Sequence, residues 1–475
     1  MAALSAHTRE KWLFGSKLPY AEAPWARGCP SPYYRDSHRQ LRQAMRSWVD
    51  KHLIPHVEQW EEAASLPDDL YQQAADDGLL MPMAAGSSIP ADWRGKFPVI
   101  GNVDPAEWDG FHDFIIHDEF GRIGGVGVEN GLVGGVHWQT LAIPAIRRFG
   151  SEHLQTTIVP KILSGAGRIA LAVTEPDAGS DVQGLQTEAV LSDDGSHFVV
   201  SGMKKWITSG MYCDYFLTLT KDAAGGFTLL VVPPSQGISK KHMTVSGSTA
   251  AGTAFIDYDD VHVSVNMVVG ERGKGLKYIM SNFNHEVRAH NTLVSQNTLR
   301  PCPAIPGHAC ADEAMQRLFL GFQALRCARV CLEDSMDYAM SRQTFGKPLT
   351  EHAVIRFKFA HMSRETEALQ AWIEALIYQL SQLSPAEAEF LLAGTTAQLK
   401  AHAGIVLEHV VREAIQIMGG IGLTRGGRGG RVERIWRDVK ALTVPGGSEE
   451  ILLDFASKRS LKVAAELMKE PKGRL

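Results

Sequence analysis

The hydrophobic period changes twice along this chain, and those changes constrain the fold more than any single motif does. Up to about residue 167 apolar residues recur at helical spacing, from there to about residue 272 they alternate, and beyond it long helical stripes return. Residues 1–35, irregular and rich in Pro, Trp and Tyr, read as an arm. Leu41, Met45, Trp48 and Leu53 then form a stripe that stops before Pro55, and a second helix fits Pro67 to Gly78. Residues 87–110 read as a loop. Loops of that length are usually functional or disordered, and Trp93, Phe97 and Trp108 favour a packed lid. Helices resume over residues 111–165, punctuated by several glycines and by Pro144.

In the alternating part, Tyr215–Thr220 and Phe227–Val232 flank Ala223-Ala224-Gly225-Gly226, and further strand patterns cover Thr253–Tyr258 and Val261–Val265. Short strands with frequent turn signals predict a small barrel or sandwich. After Gly275 one helix is marked by Leu369, Ile373, Leu376 and Leu380. Another opens on Ser384-Pro385-Ala386-Glu387, a capping box with proline at the first helical position. Such helices predict a bundle. The expected fold is α+β, with an N-terminal α-helical domain (36–167), a central β-domain (168–272) and a C-terminal helical bundle (273–475).

Composition excludes several function classes. The chain has 475 residues, 44% hydrophobic and 21% charged, as in a globular protein of two or three domains. Its net charge is −5 and its basic residues are dispersed, against a nucleic-acid surface. No apolar run approaches the ~20 residues of a membrane span. Six cysteines show neither metal spacing nor a dense disulfide pattern, so no metal and a reduced, intracellular compartment are expected. The first residues fit neither a signal nor a transit peptide, and Gly473-Arg474-Leu475 is only faintly like a peroxisomal tripeptide. Mitochondrion and peroxisome both stay open.

The stretch from Leu171 to Gly210 holds the densest chemistry. An apolar run closes on Thr174, and Glu175-Pro176-Asp177-Ala178-Gly179-Ser180-Asp181 forms a turn. Two strand-like runs follow, joined through Asp193-Asp194-Gly195-Ser196, and the second leads to Trp206-Ile207-Thr208. Backbone donors, hydroxyls and one aromatic would floor a pocket for a flat, polar-edged ring; an ordinary turn beside a core tryptophan has the same residues.

Val173–Asp181 and Lys205–Gly210 together resemble the paired turn and strand of the acyl-CoA dehydrogenase family, here of fungal type. The resemblance implies that family's fold over the whole chain, with a four-helix bundle at the C-terminus. It implies FAD, held by Leu171, Val173, Thr174, Ser180, Trp206 and Thr208. Arg342-Gln343-Thr344-Phe345-Gly346-Lys347-Pro348 resembles the segment whose arginine and hydroxyl reach FAD phosphates in a neighbouring subunit, a role suited to guanidinium. Gln416-Ile417-Met418-Gly419-Gly420 resembles the segment that lies along the adenosine, and Ser448 and Glu450 complete the implied cofactor contacts. The usual glutamine after the first of these segments is Ala353 here. A homodimer or homotetramer, an acyl-CoA substrate and an electron-transfer flavoprotein partner follow from the same resemblance.

The implied reaction is α,β-dehydrogenation of an acyl-CoA thioester. A carboxylate in a water-poor site takes the α-proton and the β-hydrogen leaves as hydride. Many family members place that base near the C-terminus, after an R-D-x-K segment. Here Arg437-Asp438-Val439-Lys440 is present, but the base position holds Gly446. Other branches place it on the first bundle helix, which is Glu286 here. Ser180, Arg317 and Gly446 are the implied substrate contacts. Gly446 also keeps open a flavin oxidase or monooxygenase, or an inactive relative.

One segment breaks the order. Leu276, Met280 and Phe283 start a stripe that stops near Glu286; residues 287–316 carry Pro301, Pro303 and Pro306, and a helix resumes at Arg317. Without residues 287–316 the two stripes join in phase. Val287 is encoded by a codon beginning GT, and Gln316 can be encoded by CAG, so the segment reads as a retained intron; a surface loop is the alternative.

Overall fold

A computed structural model of the chain describes residues 14–86, 89–134, 142–222, 225–283 and 311–469. Its N-terminal helices are α1 (Asp36–His52), α2 (Val57–Ala63), α3 (Asp69–Asp76), α4 (Leu80–Ala85), α5 (Gly110–Phe120), α6 (Gly127–Val133), α7 (Ala142–Phe149) and α8 (Glu152–Leu163). α1 turns Leu41, Met45, Trp48 and Val49 inward against α5. The first turns of the two helices are tied together: Asp109 caps α5, and His38 Nε2 lies 2.9 Å from its carboxylate. The Nδ1 atoms of His38 and His112 accept the N–H groups of Arg35 and Asp109. This His38–Asp109–His112 group is therefore a double helix cap.

The arm is packed onto these helices. Trp25 stacks on Tyr34 at 3.8 Å, and buried Glu22 pairs with Arg42, Arg46 and Arg326. The 89–110 loop is packed too, through buried Trp108, whose indole N–H donates to Asp113 (2.8 Å).

The central strands are β1 (Ile169–Ala172), β2 (Glu188–Leu191), β3 (His197–Ile207), β4 (Tyr215–Lys221), β5 (Phe227–Val232), β6 (Ile238–His242) and β7 (Ala254–Ser264). They form one curled sheet of order β1-β4-β2-β3-β7-β6, with β5 also on β4. β1 and β2 both run parallel to β4, paired Ile169↔Tyr215 and Glu188↔Lys221, so they follow one another along its edge. The Val173–Thr187 chain leaves the sheet between them. Alternation buries both faces of β4 and β5: Leu217, Leu219, Leu229 and Val231 join the helical core, while Phe216, Leu230 and Val232 fill the inside of the sheet with Phe198, Val200 and Ile256.

The C-terminal helices are α9 (Gly275–Phe283), α10 (Ala311–Ser341), α11 (Ala353–Gln382), α12 (Pro385–Met418), α13 (Gly430–Thr443) and α14 (Glu449–Leu467). α12 packs on α10, α11, α13 and α14. Its capping box forms as the sequence predicts, with Glu387 accepting the Ser384 N–H at 2.9 Å. α10 starts at Ala311, not at the expected Arg317. Past the last proline, residues 311–316 carry Ala, Glu, Met and Gln, which are good helix formers, and an Asp suited to a first turn, which explains the earlier start. The three parts meet where the Asp438 carboxylate of α13 accepts the N–H groups of Val126 (3.0 Å) and Ser248 (2.5 Å).

Candidate active site

β1 ends at Ala172, and the chain turns back on itself at once. Glu175 and Ala178 exchange backbone hydrogen bonds of 3.0 and 3.3 Å, which leaves Pro176 and Asp177 exposed at the apex and Ser180 exposed beyond it. The Glu175 side chain turns inward. Its carboxylate accepts from Gln186 N (2.5 Å), Thr187 N (3.0 Å), Thr187 Oγ1 (2.6 Å) and Lys204 Nζ (2.7 Å). Lys204 is fully buried, and its two other protons go to the carbonyls of Val173 (3.0 Å) and Leu219 (2.7 Å). Burial pulls the ammonium down to about 8 while Glu175 favours its charge. Burial acts upward on the Glu175 carboxyl, but Lys204 and the hydrogen bonds hold it below the ordinary carboxylate value. Lys205 N–H donates to Thr174 O at 2.9 Å, so turn and strand are clamped twice.

Two residues further on the strand breaks its own alternation. Lys204 pairs with Ile256 and Ile207 with Ala254, so β3 carries one extra residue here. Strict alternation from Phe198, Val200 and Lys204 would bury Trp206. The bulge instead buries Ile207 and turns Trp206 outward at φ +58°, with its indole 47% exposed and the Lys205 ammonium 4.4 Å from the ring centre. Ser209 also has positive φ (+60°), and its hydroxyl donates to Asn130 O on α6 at 2.6 Å. Positive φ at such residues costs of order 1–3 kcal/mol and persists only where the surroundings impose it, often at functional sites. Half-buried Leu171, Thr174 and Thr208 and buried Val173 complete this edge, which offers a flat apolar ring face beside hydroxyls and backbone groups.

The other expected cofactor residues lie elsewhere. Exposed Arg342 leads into a small hairpin, β8 (Gln343–Thr344) and β9 (Lys347–Pro348), turned by Phe345 and Gly346. The Arg342 guanidinium has no carboxylate partner among the described residues. Thr344 Oγ1 lies 3.1 Å from His352 Nε2. Gln416, Gly419 and Gly420 are exposed at the end of α12, where Gly419 adopts φ +60°. Arg428 links that end to α10 through Asp337 and Ser341, both at 2.6 Å. Among the described residues, no hydrogen bond or ion pair joins this group to the Trp206 edge within one chain.

The turn between α13 and α14 forms a third group. Lys400, buried on α12, donates to the carbonyls of Thr443 and Gly447, each at 2.7 Å. Gly446 sits between them at φ +72°, and a Cβ there would lie 2.7 Å from Leu320 Cδ1 on α10. Ser448 occupies the N-cap position of α14 without a side-chain cap hydrogen bond, and Glu450 is exposed in the first turn, its carboxyl lowered by its own backbone N–H and by Ser448. Glu286 lies outside the described residues, as does residue 317 beyond its backbone. Sequence reading missed Glu175, Lys204 and Lys400; charges flanking a turn motif were the only signal for the first two.

An arm with N-terminal helices, a curled central sheet that carries the strained Trp206 edge, and a C-terminal helical bundle give the chain a three-part architecture. The chain matches the family models of the acyl-CoA dehydrogenase N-terminal domain over residues 35–166, middle domain over 170–261 and C-terminal domain over 312–461. It is 36% identical to the acyl-CoA dehydrogenase apdG of Emericella nidulans, over 97% of this chain and 99% of that protein. It is 34% identical to the acyl-CoA dehydrogenase AFT10-1 of Alternaria alternata, over 94% and 96%. Among solved structures, a putative acyl-CoA dehydrogenase from Mycobacterium smegmatis superposes with a TM-score of 0.73 at 28% identity, covering 91% of this chain and all of that one. The chain belongs to the acyl-CoA dehydrogenase family. No helix among the described residues is long and apolar enough to cross a membrane.

Proposed function

We propose that this chain is an FAD-dependent acyl-CoA dehydrogenase that removes the α-proton and the β-hydride of an acyl thioester. The observation that carries the proposal is the Trp206 edge, a strained aromatic turned outward by a bulge and clamped through Lys204 and Glu175 to the turn carrying Thr174 and Ser180. FAD, when bound, accepts the hydride. Leu171, Val173, Thr174, Trp206 and Thr208 would hold its ring, and Arg342, Thr344, Gln416, Gly419 and Gly420 of a second copy would hold its phosphates and adenosine. Exposed Phe345 (97%), Val354 (63%) and Phe357 (65%) favour such a copy. Related proteins include a subunit named for a caffeyl-CoA reductase–Etf complex in Acetobacterium woodii, 25% identical over 88% of this chain. An electron-transfer flavoprotein is therefore the partner we assign.

Glu286 is the proposed base. Gly446 has no side chain and so supplies no carboxylate, and a Cβ there would meet Leu320 Cδ1. Arg317 and Ser180 are proposed substrate contacts. Gly446 also favours a second reading, a flavin oxidase or monooxygenase. Anaerobic mixing of the purified yellow protein with an acyl-CoA panel separates the two. Bleaching by an acyl-CoA without NAD(P)H, with slow re-oxidation in air, supports the dehydrogenase; the same bleaching with rapid oxygen consumption on re-aeration supports an oxidase, and bleaching only by NAD(P)H supports a monooxygenase. Residues 287–316 remain proposed as a retained intron, which sequencing of spliced transcripts tests.

A further inference from the structure

A buried polar group lies beside the site and takes no part in the chemistry above. His117 of α5, Glu129 of α6 and Gln323 of α10 are each at most 1% exposed. His117 Nδ1 lies 2.5 Å from Glu129 Oε1. The ring of Phe319 stands 4.9 Å from His117, and Phe322 lines the same space at 6.3 Å. By distance, Glu129 Oε2, Gln323 Oε1 and Gln323 Nε2 have no hydrogen-bond partner among the described residues, while the Gln323 amide stands close enough to Glu129 to favour its charged form. Buried polar atoms are nearly always paired, so three together in one place point to a missing partner.

Two contacts place this group against the active site. Asn130, next to Glu129, accepts the hydroxyl of Ser209, which follows Trp206 and Thr208. Leu320, in the same turn of α10 as Phe319 and Gln323, abuts Gly446. The group therefore lies on three helices, of which α6 touches the strand end that carries Trp206 and α10 touches the Gly446 turn.

We propose that Glu129 and Gln323 bind a neutral oxygen function, a hydroxyl or ketone, on the acyl chain of the substrate, with His117 positioning Glu129. The proposal rests on the dehydrogenase reading and narrows its substrate to acyl-CoAs oxygenated beyond the reacting carbons. A hydroxyl both donates and accepts, matching Glu129 Oε2 and Gln323 Nε2; a ketone accepts from Gln323 alone. Burial pushes the Glu129 carboxyl up to about 8 and the His117 ring down to about 3, so both are neutral near pH 7. A carboxylate-ended chain would meet no cation, and a plain alkyl chain would leave the three atoms unpaired.

The test uses the full chain with its flavin and three matched CoA thioesters of one length: saturated, singly hydroxylated beyond the β-carbon at each position in turn, and ω-carboxylated. Binding to the oxidised protein is read by calorimetry and by perturbation of the flavin spectrum, alongside anaerobic bleaching. One hydroxylated isomer should bind roughly tenfold to a hundredfold more tightly than the other two classes. Gln323→Leu and Glu129→Leu should each abolish that preference while flavin content is kept, and Glu129→Gln should retain part of it. Equal binding of saturated and hydroxylated chains would overturn the proposal, and slow bleaching of the flavin by either would leave the dehydrogenase standing. Failure of every thioester to bind would overturn both. If a preference survives in both leucine variants, these residues do not cause it and the assignment fails.

Discussion

The Lys204 ammonium meets the Glu175 carboxylate at 2.7 Å inside the protein and joins the strand end that carries Trp206 to the turn that carries Ser180. Both groups are almost entirely buried, and every proton of the ammonium is used. Removing one partner of such a pair strands the other charge, at about 3–5 kcal/mol, whereas removing both costs less. Lys204→Met should therefore lose about that much in urea unfolding, and Lys204→Met/Glu175→Leu should recover part of it. Because the folded Glu175 carboxyl titrates below its ordinary 4.5, its contribution is present above that pH and is lost as pH falls through the folded value. A double-mutant cycle repeated between neutral and acid pH checks both the coupling and its direction.

The order of helices, sheet and bundle was legible because each part keeps its own hydrophobic period, and the Ser384 cap because its side chains act locally. The Trp206 edge was only half legible. The motif marked the tryptophan, but alternation alone would bury it, and the outward turn depends on a register shift against β7. Lys204 reads as a surface lysine unless Glu175, far earlier in the chain, is known to fold beneath it. The contact of Leu320 with Gly446 joins helices distant in sequence, which no local pattern reveals.

The His117–Glu129 pair predicts a plateau in stability against pH. Folded Glu129 titrates near 8 against 4.5 unfolded, and folded His117 near 3 against 6.5. Between pH 4.5 and 6.5 the folded and unfolded pairs bind the same number of protons, so stability is flat there. From 6.5 to 8 the folded pair holds one more proton, so stability should fall by about 1.4 kcal/mol per pH unit. Below 4.5 the unfolded pair holds one more, and stability should fall again as pH drops towards 3. Unfolding curves of Glu129→Gln should lack the alkaline decline.

Flavin retention should depend on Arg342 and Trp206. Arg342→Ala removes a charge-assisted phosphate contact of ~1.5–3 kcal/mol, and gel filtration with absorbance should show lost flavin and weakened subunit association. Trp206→Ala should also lose flavin. Trp206→Gly should be about 1 kcal/mol more stable than Trp206→Ala, since glycine accepts the left-handed backbone without strain. Unchanged flavin content in Arg342→Ala would contradict its assigned role.

Gly446→Glu should not create a working base. The new side chain would start 2.7 Å from Leu320 Cδ1 in a left-handed backbone. Destabilisation of about 1–3 kcal/mol is expected, with no gain in flavin reduction by acyl-CoA. Leu320→Ala in the same chain should relieve part of the crowding, which thermal unfolding will show.

The central claim, α,β-dehydrogenation through Glu286, is tested most directly by an anaerobic single turnover on the chain lacking residues 287–316, reading flavin bleaching and enoyl-CoA together. One enoyl-CoA should form per flavin reduced. Glu286→Gln should keep FAD and acyl-CoA binding but slow both signals ~10²–10⁴-fold, because the amide removes only the basic lone pair. The full chain should be weakly active at best, since Val287 replaces Arg317 after Glu286. Parent-rate bleaching in Glu286→Gln, with loss in Glu449→Gln or Glu450→Gln instead, would contradict the account and move the base to the C-terminal turn.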